Sequence, residues 1–423
     1  MLFLFAIIVA AILILAACVQ LGIAVYSHLV FKRETVCRVD PEQQHPVAVL
    51  MCVRGCDPSL RASLISILNQ QYEDYAVHLV VDHHRDAAFE LVREVKREFD
   101  RNHRLTIHEL RDPLSTCGLK CSSLVQGLAA VSSTTKYLAL LDADVETHPT
   151  WLAELIGPLE RDPTIGLVTG NQWFEPPAGS TWGALTRSTW NAGALVPTFL
   201  FKNPWAGTFA MRLEDVYRSG LSDVWKHSVI DDGPMRNAID SLRLKIYFAP
   251  SLIMVNRENC TFRYVNRWVG RMLTWSRLYE PTFFLAVIHA IFSNTVMLAN
   301  FAALTIGCTL ANVSLIGVAA ASLLISGVLS VLSYLTVRRI VTYSCQLRGE
   351  SLPPITILRL AKLLLTVPIA QSVYGRSCLA ALFSQTVLWR EITYELKSKT
   401  DVKMVNYKPF SQTTEQAGSN VSI

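Results

Sequence analysis

Charge is what this chain has least of, and two long stretches have almost none. Met1 to Val30 contains no Asp, Glu, Lys or Arg, and neither does Phe283 to Val337, where the single histidine is His289. Such runs exclude a solvated surface or an exposed loop. Charged residues make up 17% of the chain against 51% hydrophobic, which excludes an ordinary soluble protein of this length. The formal charge of +5 is small and spread out, so nothing argues for a nucleic-acid partner. A Gly-rich P-loop and a G-x-G-x-x-G are both missing, which removes the usual cradles for ATP and dinucleotide phosphates. No internal repeat or low-complexity tract stands out. Ten cysteines in 423 residues do not form a disulfide scaffold, and Cys18, Cys308 and Cys378 lie in apolar runs, where Cys serves as a small hydrophobe.

The uncharged runs are long enough to cross a hydrocarbon core of about 30 Å. The first is followed by Lys32 and Arg33 and has no basic residues before it, which favours an N-terminal transmembrane helix over residues 1–31 rather than a signal peptide. Positive flanks stay inside, so the following residues are expected in the cytoplasm. Phe283–Val337 suits two helices joined by a tight turn near Gly307–Asn312, closing on Arg338 and Arg339. A third apolar block, Leu358–Leu388, is interrupted by Pro368 and Gly375 and carries Arg359, Lys362 and Arg376. It reads as a broken or re-entrant pair of half-helices with a cytoplasmic tail, because a single span would export Lys397, Lys399 and Lys403. The organisation that follows is a membrane helix at 1–31, a soluble domain at 46–260, an interfacial amphipathic helix at 261–281, a C-terminal membrane region at 282–388 and a cytoplasmic tail at 389–423.

Within 46–260, short β-branched runs at Val47–Val53, Val77–Val81, Leu105–Leu110, Tyr137–Leu141 and Gly166–Gly170 alternate with helical stretches at Ser59–Gln70, Ala87–Phe99, Ser122–Val131 and Trp151–Leu159. That order predicts an α/β fold, a mostly parallel sheet flanked by helices, whose ligands gather at the carboxyl ends of the strands. Two strands end in acids: Val77–Val81 runs into Asp82, and Tyr137–Leu141 into Asp142-Ala143-Asp144. An Asp-x-Asp at a strand end suits a hard divalent cation that also holds phosphate oxygens, although solvated acidic turns look the same. Farther on, Arg263, Arg267 and Arg271 recur every four residues beside Trp268, Met272 and Trp275. A basic, aromatic helix just before a span belongs in the headgroup layer.

These acids stand in an ordered set of motifs. Val53-Arg54-Gly55-Cys56-Asp57-Pro58, Val81-Asp82-His83-His84-Arg85-Asp86, Gly118-Leu119-Lys120 with its Ser-Leu continuation, Asp142-Ala143-Asp144, Val229-Ile230-Asp231-Asp232, Arg267-Trp268, and Trp389-Arg390 with Tyr394 follow one another in the chain. The set resembles family 2 glycosyltransferases of the GT-A fold, and within them the ceramide-glucosyltransferase branch, over roughly residues 46–394. Two positions depart from the pattern. Tyr264 stands where the family has Gln or Arg before Arg-Trp, and Asp231 replaces a Glu.

The resemblance implies a Rossmann-like, nucleotide-sugar-binding domain and a division of labour within it. Asp82 would hold the nucleoside, Asp144 would ligate Mg²⁺ or Mn²⁺, and Asp142 would touch ribose or support the metal. Asp232 would be the general base for an inverting transfer, unless it merely caps a helix starting near Pro234. Arg267 would reach the diphosphate and Trp268 would line the acceptor site, while Lys120 and Arg54 would touch phosphate or stay solvated. The expected reaction moves a sugar from a UDP-sugar to a membrane lipid such as ceramide or a diacylglycerol-like acceptor. It would take place on the cytoplasmic face of a bacterial inner membrane or of the ER or Golgi. A processive polysaccharide synthase, a polyprenyl-phosphate sugar transferase, and a non-catalytic scaffold or transporter subunit are the alternatives.

Overall fold

In the computed structural model, which describes residues 1–410, a 30-residue helix α1 (Leu2–Phe31) leads into the catalytic domain. There the chain runs β1 (Val47–Val53), α2 (Leu60–Leu68), β2 (Tyr75–Val81), α3 (Ala87–Phe99), β3 (Leu105–Glu109), α4 (Leu119–Ala129), β4 (Tyr137–Leu141), α5 (Trp151–Arg161) and β5 (Ile165–Phe174). It continues through α6 (Trp182–Phe201), β6 (Thr208–Arg212), α7 (Leu213–Arg218), α8 (Leu221–Trp225), α9 (Met235–Ser241) and β7 (Lys245–Asn256). The seven strands order as β3-β2-β1-β4-β6-β5-β7, and only β6 runs antiparallel to its neighbours.

The central strands are apolar on both faces because helices cover both. Val49 and Met51 of β1 face the layer of α2, α3 and α5, while Ala48 and Leu50 face α4 and α7–α9. Val49, Leu50 and Met51 are all 0–1% exposed, and full burial of such a side chain contributes about 1.5–3 kcal/mol. The expected strands and helices of this domain are present, with ends moved by a few residues. The elements that hydropathy did not single out are α6, β6, β7 and the small helices between them.

The chain then forms α10 (Phe262–Tyr279), α11 (Phe283–Thr309), α12 (Val313–Leu347) and α13 (Ile357–Phe383), and ends in a meander of β8 (Thr386–Trp389), β9 (Ile392–Leu396) and β10 (Val402–Val405). Helices α1, α11, α12 and α13 are long and apolar enough to cross a membrane. The α11–α12 turn falls where expected, with Ala311 at φ +52°. Arg338 and Arg339 do not close α12, which runs on to Leu347. Arg338 instead pairs with buried Glu175 at 3.0 Å, and the last third of α12 packs Val337, Ile340 and Val341 against Trp173 and Phe248.

The third apolar block corrects the expectation of broken half-helices: α13 is one continuous helix of 27 residues. Pro368 removes one backbone donor without ending it. Gly375 is a packing notch rather than a break, since a Cβ there would meet the Asn294 side chain at 2.2 Å. One end of α13 is tied to the α/β domain and the other to α10. Near its start Arg359 pairs with Glu175 at 2.9 Å, and at its end Arg277 of α10 holds the Ser384 carbonyl at 2.6 Å. Between those ends it meets the near half of α11, where Tyr374 donates to the Ala286 carbonyl and Asn294 to the Gln371 carbonyl.

The expected tail at 389–423 is likewise corrected as far as residue 410. It folds back onto the catalytic domain, because Val387, Ile392, Tyr394, Leu396, Val402 and Met404 bury an apolar face against Leu110, Leu119, Val229 and Trp275. Residues 411–423 of that tail lie outside the described residues.

Candidate active site

The carboxyl ends of β1, β2 and β4, the loop before α9, the inner face of α10 and the meander enclose a cavity of about 420 Å³. Gly118, at the N-terminus of α4, sets one wall. Its amide donates to the Ser228 carbonyl at 2.8 Å, and a Cβ in its place would lie 2.1 Å from the Val229 carbonyl oxygen. Only glycine lets the two loops approach this closely. The contact brings Lys120 between two acids: its ammonium pairs with Asp142 and, at 2.7 Å, with Asp231. Burial alone would lower the Lys120 pKa, but the two carboxylates hold it well above the usual lysine value.

Two further acids are not neutralised in this way. Burial, then Asp142, Asp57 and Glu258, push Asp144 up to about 7, and no hydrogen bond from the described residues satisfies it. A half-buried carboxylate crowded by like charges is a site for a cation. With Asp142 beside it, the donor set is all oxygen, as Mg²⁺ or Mn²⁺ requires. Burial and Asp231 push Asp232 up to about 7 as well. Asp232 does not cap α9: the cap residue is Pro234 and no side chain caps the helix, while the Asp232 carboxylate takes a hydrogen bond from the backbone of Ala206. The capping alternative therefore fails, and an acid poised near neutrality faces the cavity.

Helix α10 presents Tyr264, Trp268, Arg271 and Trp275 to the cavity, positions spaced by four, three and four residues and so aligned along one face. Arg267 is not among them; it is exposed, which corrects the expectation that it reaches the diphosphate. Four-residue spacing overshoots the 3.6-residue turn, so Arg263, Arg267 and Arg271 wind around the helix and only the last faces inward. Arg271 is the residue that motif reading missed. No acid among the described residues pairs with it, burial lowers its guanidinium to about 10, and its nearest support is the Trp389 ring at 5.4 Å. A half-buried cation with no acid beside it carries a desolvation cost, and an anionic ligand would relieve it.

The meander supplies the rest. Arg390 pairs with Asp57 at 2.6 Å and donates to the Arg54 carbonyl, and the Tyr394 hydroxyl accepts from the Leu119 amide at 3.3 Å. Trp268 meets Trp190 of α6 and Phe174 edge-on, with ring centroids 5.0 and 5.3 Å apart, in an aromatic wall beside the membrane helices. Arg54 and Asp82 also line the cavity, joined in a buried ion pair.

Against this geometry, the sequence model of glycosyl transferase family 21 matches residues 9–402. The chain belongs to glycosyl transferase family 21. A search of curated proteins found no match. Among solved structures, a mannosyltransferase from Pyrobaculum calidifontis in complex with GDP-Man and Mn²⁺ is 16% identical, with 89% of this chain and 97% of that chain covered at a TM-score of 0.48. Glucosyl-3-phosphoglycerate synthase from Mycobacterium tuberculosis with Mn²⁺, UDP and glucosyl-3-phosphoglycerate is 15% identical, with 55% of this chain and 80% of that chain covered at 0.35.

The family 21 chain is thus a glycosyltransferase, and its cavity gathers Arg54, Asp82, Lys120, Asp142, Asp144, Asp232 and Trp268 from loops and helices far apart in sequence. Of the residues expected at the site, Arg267 alone stays outside.

Proposed function

We propose that this glycosyltransferase moves a sugar from a UDP-sugar to the hydroxyl of a membrane lipid, with inversion, using a divalent cation. The observation that carries the reading is that one cavity is lined by two unlike sets of side chains. One set is the acids Asp82, Asp142, Asp144 and Asp232; the other is the aromatic rings of Trp190, Trp268 and Trp275, on helices that pack against the membrane-facing elements. A charged donor suits the first set, and a lipid headgroup with its first methylenes suits the second.

In this reading Asp82 and Arg54 bound the nucleoside end, and Asp144 with Asp142 holds the metal. Bound there, the cation would act as a Lewis acid on the diphosphate. Arg271 supports the same oxygens with a guanidinium fork. Asp232 takes the acceptor proton as the acceptor oxygen bonds to the anomeric carbon, while the bond to the diphosphate breaks and its electrons leave with UDP. Asp231 is a poor base, because Lys120 engages its carboxylate. A processive synthase would need a tunnel for polymer. Here α1, α11 and α12 pack tightly through Ala6, Ala303 and Ala319, with Asn300 bonding Ser322 at 2.7 Å.

The contacts of α13 support a disposition in the membrane. With one end tied to Glu175 of the catalytic domain and the other to α10, α13 lies along the near face of the membrane, and α1, α11 and α12 cross it. The catalytic domain and the meander then share the cytoplasmic side, where Lys32 and Arg33 also lie. The deciding experiment incubates the purified protein in lipid with a panel of radiolabelled nucleotide sugars and separates lipid products from polymer. Label in a single-sugar glycolipid supports the proposal; label in a polymer, or in no lipid at all, overturns it.

A further inference from the structure

Asp82 has little acceptor capacity to spare. It is 1% exposed, and three donors reach its carboxylate: the Arg54 guanidinium, the Tyr407 hydroxyl at 2.8 Å on Oδ1 and the Phe410 amide at 2.9 Å on Oδ2. Two of these come from a short segment that follows the meander. After β10, Asn406 turns the chain at φ +58° and lays Tyr407–Phe410 over the ends of β1 and β2. There the Lys408 carbonyl accepts from Arg54 at 3.1 Å, whose guanidinium lies 5.8 Å from the Tyr407 ring and 5.3 Å from the Phe410 ring. The Phe410 ring rests on Gly55, at φ +76°, where even a Cβ would sit 3.1 Å from it. A carboxylate offers about four lone-pair sites, so a nucleoside cannot be held by Asp82 while all three donors stay in place and the residue stays covered.

We propose that Tyr407–Phe410 is a strap that competes with the nucleoside of the donor for Asp82, so that the enzyme closes its own nucleotide pocket and the donor opens it by displacing the strap. The strap imitates its competitor: it presents an aromatic ring, a hydroxyl and an N–H, as a nucleoside does. The metal-binding end is left clear, because the strap's hydrogen bonds go to Asp82 and Arg54 and, among the described residues, none of them reaches Asp142 or Asp144. Release of the strap frees Asp82 and Arg54 together, since it bonds to both. The inference rests on the reading of Asp82 as a nucleoside-holding residue.

The test measures UDP affinity by calorimetry with saturating Mn²⁺ on the full-length protein, on the double variant Tyr407→Ala, Phe410→Ala, and on a chain ending at Asn406. Affinity is reduced by the fraction of molecules in the competent state, so a strap closed about nine-tenths of the time makes removal tighten UDP about tenfold. A gain of about threefold or more in either variant supports the strap; a smaller change, or weaker binding, overturns it and makes the segment a fixed wall of the pocket. Hydrogen exchange gives a readout that needs no variant. The Phe410 amide, which donates to Asp82, should lose protection when UDP is added to the full-length protein, and unchanged or increased protection would refute displacement. If no form of the protein binds UDP, the nucleotide reading itself falls and takes the strap with it; if all forms bind UDP alike, only the strap falls.

Discussion

Replacing Asp232 by Asn should weaken catalysis and strengthen the fold at the same time. Burial and Asp231 raise the Asp232 carboxyl from 3.8 to about 7, so the folded state binds a proton that the unfolded state releases. Between those two values the unfolded chain carries fewer protons, and stability falls as pH rises. The penalty is absent below about pH 4 and fully developed above about pH 7. At 1.36 kcal/mol per pH unit it is bounded at about 4 kcal/mol, and partial access to solvent reduces this to roughly 1–2 kcal/mol. Asn is nearly isosteric and carries no charge, so Asp232→Asn should raise the apparent melting midpoint in detergent at pH 8 and leave it unchanged near pH 4. Turnover should fall by about 10²–10⁴, about 3–5 kcal/mol of barrier, while UDP affinity stays the same. With metal saturating, the wild-type rate should climb as pH rises through about 7, because the base must be ionised, and the variant should lose that limb. The limb belongs to the coupled acids rather than to one group alone. A variant with wild-type turnover, or one less stable than wild type at pH 8, would refute the assignment of an ionisable base held under electrostatic strain.

Three other outcomes are expected. Chelation with EDTA should abolish transfer and Mn²⁺ or Mg²⁺ should restore it, whereas Asp144→Asn should stay inactive at any metal concentration; full activity of that variant in metal-free buffer would remove the metal from the site. Arg271→Gln should weaken UDP by about 1.5–3 kcal/mol, the worth of a hydrogen bond to a charged group, and leave uridine binding alone. Arg267→Gln should alter neither, and the reverse pattern would restore Arg267 to the diphosphate. In sealed, right-side-out membranes, cysteines introduced near Asp100 and at Ser384 should both resist an impermeant reagent until the membrane is opened. Labelling of Ser384→Cys alone would mean that α13 crosses.

Hydrophobic patterning was enough to place five of the seven strands, β1 to β5, because runs such as β1 and β4 are continuously apolar and end in polar turns. It also placed α1, α11 and the turn before α12, because charge-free runs of that length leave few other structures. The acids at the ends of β2 and β4 were legible for the same reason: strand ends in such sheets face the ligand. The ordered motifs located Asp232, yet its role as base or cap depended on where its carboxylate points. That became clear only with Pro234 at the helix start and Ala206 against the side chain.

Composition along the chain decides what is apolar and where acids interrupt it, and so it determined the membrane helices, the strands and the acidic clusters of this glycosyltransferase. Tertiary structure decided everything that depends on direction. Hydropathy measures length and apolarity but not orientation, so α13 resembles a span, and only its tethers to Glu175 and Arg277 support the proposal that both its ends face one side. Helical spacing places Arg263, Arg267 and Arg271 near one another, but packing against the cavity selects Arg271. The C-terminal meander and strap have weak local signals. Their placement rests on contacts more than 300 residues apart, such as Arg390 with Asp57 and Tyr407 with Asp82, and no local pattern encodes a contact of that range.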